Sequence, residues 1–213
     1  MAAPALTLLD PAHYRRTPWK NGGGFTIDIA GAYRPGAAPG DWDGMRWRFG
    51  RTRIERPGPF SDLAGFDRIL AVIEGEGLVL HPRGRPPLDV RTPFRPVRFA
   101  GEWAIEIELT AGPVAVLNLI ADRKHYTIDL AFHGAGPDTI LSPGHVIAYA
   151  PGGATLAVED REVALAPDAA LAFDTDRAVR LRVVHGRVAI ASLGDRAWRG
   201  VRNGPALVPL ARE

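Results

Sequence analysis

The stretch EGEGLVLHPRGRPPLDV, residues 74–90, places short apolar runs between turns that contain glycine and proline. Runs of this length recur along the whole chain, and many alternate apolar with polar residues, as in AIEIEL (104–109) and YTIDLAF (126–132). Alternation with a period of two is typical of β-strands, and short strands at close spacing favour a sandwich or a barrel. We therefore predict an all-β protein.

The pattern around residues 74–90 returns in the second half of the chain. The first copy is EGEGLVLHPRGRPPLDV followed by AIEIELTAGPVAVLNL (104–119), and the second is PGGATLAVEDREVALAPDAALAF (151–173) followed by VRLRVVHGRVAIASL (179–193). A repeated β-unit of this size predicts two tandem jelly-roll barrels that pack together. We place the first barrel at residues 1–122 and the second at 123–213, with the boundary near DRKHY (122–126).

Glycines mark the turns of both copies. With the halves aligned, Gly75 corresponds to Gly152 at an offset of 77 residues, and Gly112 corresponds to Gly186 at an offset of 74. The shared order is strand, glycine turn, strand, strand, glycine turn, strand. We expect the two barrels to use glycine at equivalent turns.

The composition excludes several classes of protein. Of the 213 residues, 46% are hydrophobic and 23% are charged, as in an ordinary globular protein, and the lack of cysteine excludes disulfides and thiolate metal sites. The opening MAAPALTLLDPAHYRR has neither the basic region nor the long apolar segment of a signal peptide. No apolar run approaches the roughly 20 residues that span a bilayer. We expect a cytoplasmic protein without a membrane partner.

The charge of the chain gives no sign of a nucleic-acid partner. The formal net charge is only +2, and no basic patch accompanies it. Two of the 26 basic residues are lysines, Lys20 and Lys124, a scarcity that codon bias explains. Because lysine is so rare here, the position of Lys20 directly before a run of glycines is informative.

That run is WKNGGGFT, residues 19–26. A phosphate-binding loop needs its lysine after the glycines and a helix to follow, whereas FTIDIA (25–30) alternates as a strand does. A plain tight turn into this strand is one reading, since glycine permits close approach of another chain or a ligand. The other reading is one wall of a pocket, because Trp19, Lys20, Asn21 and Thr26 together supply a ring, a cation and hydrogen-bonding groups.

No metal site is expected. The barrels of this class often bind a metal through a His-x-His pair. No two of the histidines in this chain are separated by one residue: they are His13, His81, His125, His133, His145 and His185. We predict a protein without a metal or another cofactor.

The segment MRWRFG, residues 45–50, places an arginine toward an interior. On a strand, Trp47 and Phe49 share one face, and Arg46, Arg48 and Gly50 share the other. The second face then becomes small and apolar. A guanidinium on such a face points into a cavity or into a core.

Arg68 is a second candidate cation, because it shares a strand face with Leu70 in DRILAVI (67–73). A buried arginine needs a partner, since an unpaired buried charge strongly destabilises a fold. The partner is either an internal carboxylate, such as Asp67 or Glu55, or the anionic group of a ligand. Both alternatives remain open at this point.

Four segments together resemble the HutD/Ves family. They are PWKNGGGFTIDIA (18–30), WRFGRTRIERPGPFSDLAGFDRILAVIEGEGLVL (47–80), FAGEW (99–103) and GPVAVLNLIADR (112–123). The resemblance covers essentially the whole chain and implies a bicupin, two cupin barrels in one chain. It also implies a role in bacterial histidine utilisation as a non-enzymatic binder of a pathway intermediate such as formylglutamate.

Carried over to this chain, the resemblance implies a small-molecule site in the first barrel, with the second barrel mainly a scaffold. The implied ligand-binding residues are Lys20, Asn21, Thr26, Trp47, Arg48, Ser61 and Arg68. This chain departs from the family pattern at Gly50, where serine is expected, at Ala64, where proline is usual, and at Asp28, where glutamate is common. Gly50 removes a hydroxyl from the face that carries Arg48.

Two other functions remain open. One is a metal-independent cupin enzyme, an isomerase or hydrolase of a small acidic metabolite, with Lys20 as its acid or base. The other is a module that binds a partner protein. The sequence also leaves open whether the chain forms a homodimer.

Overall fold

In this computed structural model, the described residues are 3–19, 24–38 and 40–196. Their regular secondary structure is almost entirely β-strand, and every strand pairing is antiparallel. One short 3-10 helix lies at Pro11–His13. The all-β prediction is confirmed. Nowhere in the described ranges is there a helix long and apolar enough to cross a membrane.

The chain divides into two compact units. The N-terminal unit spans residues 14–125, and the C-terminal unit combines residues 1–13 with 126–213. The strands of the N-terminal unit are β2 (Arg15–Pro18), β3 (Phe25–Tyr33), β4 (Met45–Ile54), β5 (Gly58–Pro59), β6 (Phe66–Glu74), β7 (Leu78–Pro82), β8 (Leu88–Asp89), β9 (Val97–Ala100), β10 (Ile105–Leu109) and β11 (Val114–Asp122). They build a six-stranded sheet in the order β2-β3-β4-β11-β6-β9 and a four-stranded sheet in the order β5-β10-β7-β8.

The C-terminal unit is built around one long strand. Its strands are β1 (Thr7–Leu9), β12 (Tyr126–Gly134), β13 (Thr139–Leu141), β14 (Gly144–Tyr149), β15 (Ala154–Val158), β16 (Arg161–Leu165), β17 (Ala170–Thr175) and β18 (Val179–Asp195). The sheet order is β1-β17-β14-β18-β15-β16, and β12 and β13 also pair with β18. The 17 residues of β18 therefore connect most of this unit.

The first strand of the chain belongs to the C-terminal unit. Thr7 on β1 pairs with Ala172 on β17, and the pairing continues to Leu9 and Ala170. The sequence-based boundaries place residues 1–122 in one barrel. The structure instead groups residues 1–13 with the second unit, because their backbone hydrogen bonds go to β17, and it moves the division to residues 125 and 126.

The two units repeat one pairing scheme. In the N-terminal unit β11 lies between β4 and β6, β6 also pairs with β9, and β7 lies between β8 and β10. In the C-terminal unit β18 pairs with β12 and β14, β14 also pairs with β17, and β15 lies between β16 and β18. Strand β18 therefore takes the places of both β10 and β11, which residues 110–113 separate in the first unit.

The glycine alignment needs one correction. Gly112 and Gly186 both have positive φ angles, 65° and 81°, as their matching predicts. Gly152 is not among the residues with positive φ, whereas Gly153 is, at 82°. Gly153 matches Gly77, since each lies against the chain at the end of the second strand that follows it. Gly77 lies against Arg91, just after β8, and Gly153 lies against Leu165 and Pro167, at the end of β16. A one-sequence alignment cannot separate adjacent glycines, because both fit a turn.

Each unit has its own apolar core. The N-terminal core takes Leu70 and Val116 from the larger sheet and Leu80 and Ile107 from the smaller one, so the two sheets pack face to face. The C-terminal core is likewise apolar and includes Ile190 of β18. Alternation along the strands directs these side chains inward. At one end of the N-terminal core the inward residues become polar, and the candidate site lies there.

Candidate functional site

The inward face of strands β3, β4, β11 and β6 carries the candidate site. Arg48 on β4 pairs with Ile120 on β11, and Ile120 pairs with Arg68 on β6. The two arginines therefore stand in one row across the sheet, with Cα atoms about 10 Å apart, the width of two antiparallel pairings. In the next row, two residues along each strand, Gly50 pairs with Asn118.

A cavity lies over these rows. Its empty space is about 430 Å³ when the open solvent at its mouth is included, and about 40 Å³ of this can hold the centre of a water molecule. Four predicted site residues line it together: Thr26, Arg48, Ser61 and Arg68. The other lining residues are Trp19, Trp42, Thr52, Ile54, Phe60, Leu63, Leu70, Val116, Asn118 and Ile120.

One described residue of the predicted site, Trp47, is not brought to this cavity. Trp47 is 1% exposed and is absent from the cavity wall, because its side chain points to the opposite face of β4 from its neighbour Arg48. The alternation of MRWRFG already placed it on that face. Lys20 and Asn21 lie outside the described residues, and their roles stay predictions.

Arg48 has an internal counter-ion. Its Nε lies 3.5 Å from Oδ1 of Asp28, with both side chains 5% exposed. The contact is an ion pair without the geometry of a hydrogen bond, so Oδ1 has no hydrogen-bond partner among the described residues. The guanidinium carbon also lies 4.3 Å from the centre of the Trp42 ring, within the range of a cation–π contact.

The suggested internal partners, Asp67 and Glu55, do not pair with either cavity arginine. Asp67 accepts a hydrogen bond from Nε of Arg123 at 2.8 Å, and Glu55 accepts one from Nε of Arg53 at 3.3 Å. Sequence proximity suggested these carboxylates. Strand pairing instead brings Asp28 of β3 next to β4.

Burial dominates the titration of Asp28. It raises the pKa of the carboxyl group above its ordinary value of 3.8, while Arg48, Thr17 and Arg15 act in the opposite direction. Thr17 donates a hydrogen bond from Oγ1 to Oδ2 of Asp28 at 2.5 Å. The net direction is upward, because desolvation of a carboxylate outweighs one ion pair that lacks hydrogen-bond geometry.

Arg68 is a buried cation without a counter-ion in the described part of the chain. It is 4% exposed, and its guanidinium carbon lies 4.5 Å and 5.1 Å from the ring centres of Phe60 and Phe99. It donates one long hydrogen bond, 3.5 Å, to the carbonyl oxygen of Ser61, and its Nε has no hydrogen-bond partner. No carboxylate of the described residues forms an ion pair with it.

The charge on Arg68 persists at neutral pH. Burial, together with repulsion from Arg48, lowers the pKa of Arg68 to about 9. A group with that pKa is still protonated at pH 7. The cavity therefore contains a positive charge that the described protein groups leave uncompensated, an arrangement that an anion would stabilise.

The predicted pocket wall at residues 19–26 is formed by a chain of hydrogen bonds. Trp19 donates from Nε1 to Oγ1 of Thr26 at 3.2 Å, and Thr26 shares a hydrogen bond of 2.7 Å with Thr52 on β4. The backbone N–H of Trp19 also donates to the carbonyl of Gly24 at 2.9 Å, which closes the turn. Trp19 and Thr26 both line the cavity, so the two described ends of this segment contribute to its wall.

Sequence reasoning missed three residues of this site. Asp28 follows Thr26 at a spacing of two on β3, and the same alternation that placed Arg48 could have placed it. Asn118 is a lone polar residue in the buried run VAVLNLIA, which is a signal in itself. Trp42 lies in a loop, where no periodicity locates a side chain.

Metal ligation finds no support in the described ranges. No three side chains of His, Cys, Asp or Glu there form a group that could hold a metal ion. The polar groups of the cavity lining are guanidinium, amide, indole and hydroxyl groups, and the carboxylate of Asp28 lies beside Arg48 without lining the cavity. Such a set suits an organic anion.

Comparison with known proteins gives a consistent family. The family model HutD matches residues 11–191. A protein of Pseudomonas putida, described as an uncharacterized 21.2 kDa protein in the hutC 3' region, is 34% identical over 145 residues, which cover 68% of this chain and 73% of that protein.

Two solved structures are similar over nearly their whole length. HutD from Pseudomonas fluorescens SBW25, whose structure is described as a formate condition, superposes with a TM-score of 0.75 at 26% identity, covering 91% of this chain and 100% of that one. A conserved protein of unknown function from Pseudomonas aeruginosa PAO1 superposes with a TM-score of 0.76 at 25% identity, covering 89% and 98%.

Proposed function

Because this chain belongs to the HutD family, we propose that it binds a small acidic metabolite such as formylglutamate and serves histidine utilisation without catalysing a reaction. The observation that carries this proposal is Arg68. A buried guanidinium that no carboxylate of the described residues accompanies destabilises the fold, and a bound anion would compensate its charge.

The geometry around Arg68 supports an anion with two acidic groups. Arg48 stands in the same row about 10 Å away. The planar fork of a guanidinium matches a carboxylate through two parallel hydrogen bonds. Two guanidinium groups on one sheet face suit a dicarboxylate of about five carbons better than a monocarboxylate.

The surroundings of Arg68 also suit a bound organic molecule. Phe60 and Phe99 stack at 5.9 Å between ring centres and lie against the guanidinium, and Trp19 and Trp42 add apolar wall. Small-molecule sites are largely apolar, with a few polar groups that fix orientation. The cavity has this composition.

The test is a thermal-shift panel with histidine, urocanate, formiminoglutamate, formylglutamate and glutamate. We expect formylglutamate to raise the melting temperature in a saturable way, equivalent to about 2.7 kcal/mol of added stability at 100 times its Kd. Nuclear magnetic resonance of the same mixture should show the compound unchanged after long incubation. Conversion of the compound would instead identify an enzyme.

The matched variants are Arg68→Met and Arg53→Met. Arg68→Met should abolish the shift yet fold at least as stably as the wild type, because it removes a desolvated cation. Arg53 is exposed on β4 beside Glu55, so its replacement controls for the loss of one positive charge. Retention of the shift in Arg68→Met, or no shift with any compound of the panel, contradicts the proposal.

A further inference from the structure

Asn118 is a polar residue at the centre of the buried face of β11. It pairs with Gly50 on one side and with Leu70 on the other. Along β11, its neighbours on the same face are Val116 and Ile120, both at most 2% exposed. Glycine and aliphatic side chains offer no hydrogen bond, so none of these four neighbours satisfies the amide of Asn118.

The side chain of Asn118 lines the cavity, and its carbonyl oxygen has no partner in the described part of the chain. This oxygen, Oδ1, is buried. A primary amide has an acceptor oxygen and two N–H donors. Buried groups of this kind are nearly always paired, so an unpaired one in a cavity indicates what a ligand supplies. The natural complement of an amide is another amide, which exchanges N–H and C=O with it.

The position of Asn118 relative to the arginines sets what it can contact. Ile120 lies between Arg48 and Arg68, and Asn118 is two residues further along β11 on the same face, about 6.6 Å from that row. A molecule held at its carboxylates by the arginine row would extend a substituent from its central carbons toward Asn118.

We infer that Asn118 selects the ligand by its amide group, so that the site favours an N-acylated acidic amino acid over the plain dicarboxylate of the same length. This inference rests on the proposed function, in which Arg48 and Arg68 bind the acidic groups. The arginines then provide charge recognition, and Asn118 provides the discrimination among acids of equal charge.

Calorimetric titration with two probes tests whether the arginines recognise the charge and Asn118 recognises the amide. Formylglutamate carries two carboxylates and an amide, whereas glutarate carries the same two carboxylates on five carbons and no nitrogen. We expect the wild type to bind formylglutamate about tenfold more tightly, the effect of one net hydrogen bond of typical strength. Asn118→Leu should bind both compounds equally, at the affinity of the wild type for glutarate.

The stability of the variant separates this role from a structural one. Replacing an unpaired buried amide by an aliphatic group of similar size should leave the melting temperature unchanged or raise it. Ser192→Ala, at the position of the C-terminal unit equivalent to Asn118, should keep the tenfold preference. If Asn118→Leu does not fold, Asn118→Ala must show the same loss of preference.

The outcomes distinguish this inference from the proposed function. If the wild type binds neither probe, the proposed function fails and the inference fails with it. If the wild type binds both probes with equal affinity, or if the folded Asn118 variants keep the preference, then Asn118 does not read the amide while the binding function stands.

Discussion

The two β-units use the same strand pairings but fill the same end of their interior with different residues. When β4, β11 and β6 are aligned with β12, β18 and β14, Arg48 corresponds to Thr127, Arg68 to Gly144, and Asn118 to Ser192. One copy of the scaffold therefore carries two buried cations where the other carries none. A single pairing scheme is compatible with either interior.

The difference follows from one additional strand. In the N-terminal unit β3 pairs with the outer side of β4 and brings Asp28 to Arg48. In the described part of the C-terminal unit, β12 pairs with β18 on one side and no strand pairs with its other side. A cation at position 127 would therefore have no carboxylate on a neighbouring strand in the place that Asp28 takes beside Arg48. The neighbouring strand therefore accounts for the burial of Arg48, whereas Arg68 is buried without a counter-ion among the described residues.

The largest effect is expected when Asp28 loses the cation that it pairs with. Arg48→Met leaves Asp28 buried and unpaired, and we expect a loss of about 3–5 kcal/mol in the free energy of unfolding, together with loss of ligand binding. Interpreted from the sequence as a ligand-facing cation, Arg48 was expected to be replaceable without loss of the fold, because such a cation is seldom optimal for stability. Urea unfolding measures it, with Thr127→Met at the equivalent exposed position expected to change stability by about 0.5 kcal/mol or less. Equal stability of Arg48→Met and wild type would show that Asp28 does not need Arg48.

A smaller effect concerns the closeness of β3 and β4. A Cβ at Gly50 would lie 2.5 Å from Cγ2 of Thr26 and 2.9 Å from the backbone oxygen of Ile27. Gly50→Ser, the residue that the family resemblance leads one to expect, should therefore destabilise this chain by about 1–3 kcal/mol. The equivalent residue of the C-terminal unit is Asp129, which is exposed, and Asp129→Ser should be nearly neutral. Chemical denaturation of the two variants checks this contrast, and a neutral Gly50→Ser would show that β3 can move outward.

The smallest effect is a pH dependence. The folded-state pKa of Asp28 is raised above 3.8, so the folded protein binds more protons than the unfolded chain in the interval between the two pKa values. Its contribution to stability is therefore most favourable below 3.8 and falls as pH rises through that interval, by up to about 1.4 kcal/mol per pH unit.

The measurement is the difference in unfolding free energy between wild type and Asp28→Asn at a series of pH values. We expect this difference to shift against the wild type as pH rises and to become constant above the folded-state pKa. A difference that moves in the wild type's favour with rising pH would mean that Arg48 and Thr17 outweigh burial.

The sequence predicted the parts of the molecule that depend on local pattern. Alternation and glycine turns identified the strands and the repeat, and the same alternation placed Arg48 and Arg68 on an inward face. Alternation also gives the face of β3 on which Asp28 lies, but it could not predict the contact of Asp28 with Arg48, because the pairing of β3 with β4 is long-range and its register shifts at an irregularity just after Asp28. The alternation could not predict that Trp42 lines the cavity, because Trp42 lies in a loop. The family resemblance implied that Trp47 is a site residue, whereas the alternation placed it on the face of β4 opposite to Arg48. The structure agrees with the alternation.

The pairing of β1 with β17 has a consequence for the synthesis of the chain. Thr7 and Ala172 meet across about 160 residues, so β1 leaves the ribosome long before its partner strand β17 has been synthesised. The N-terminal unit, residues 14–125, is continuous and can fold during that interval. Biosynthesis therefore completes the unit with the candidate site first. The unit that holds the chain's first strand is completed last.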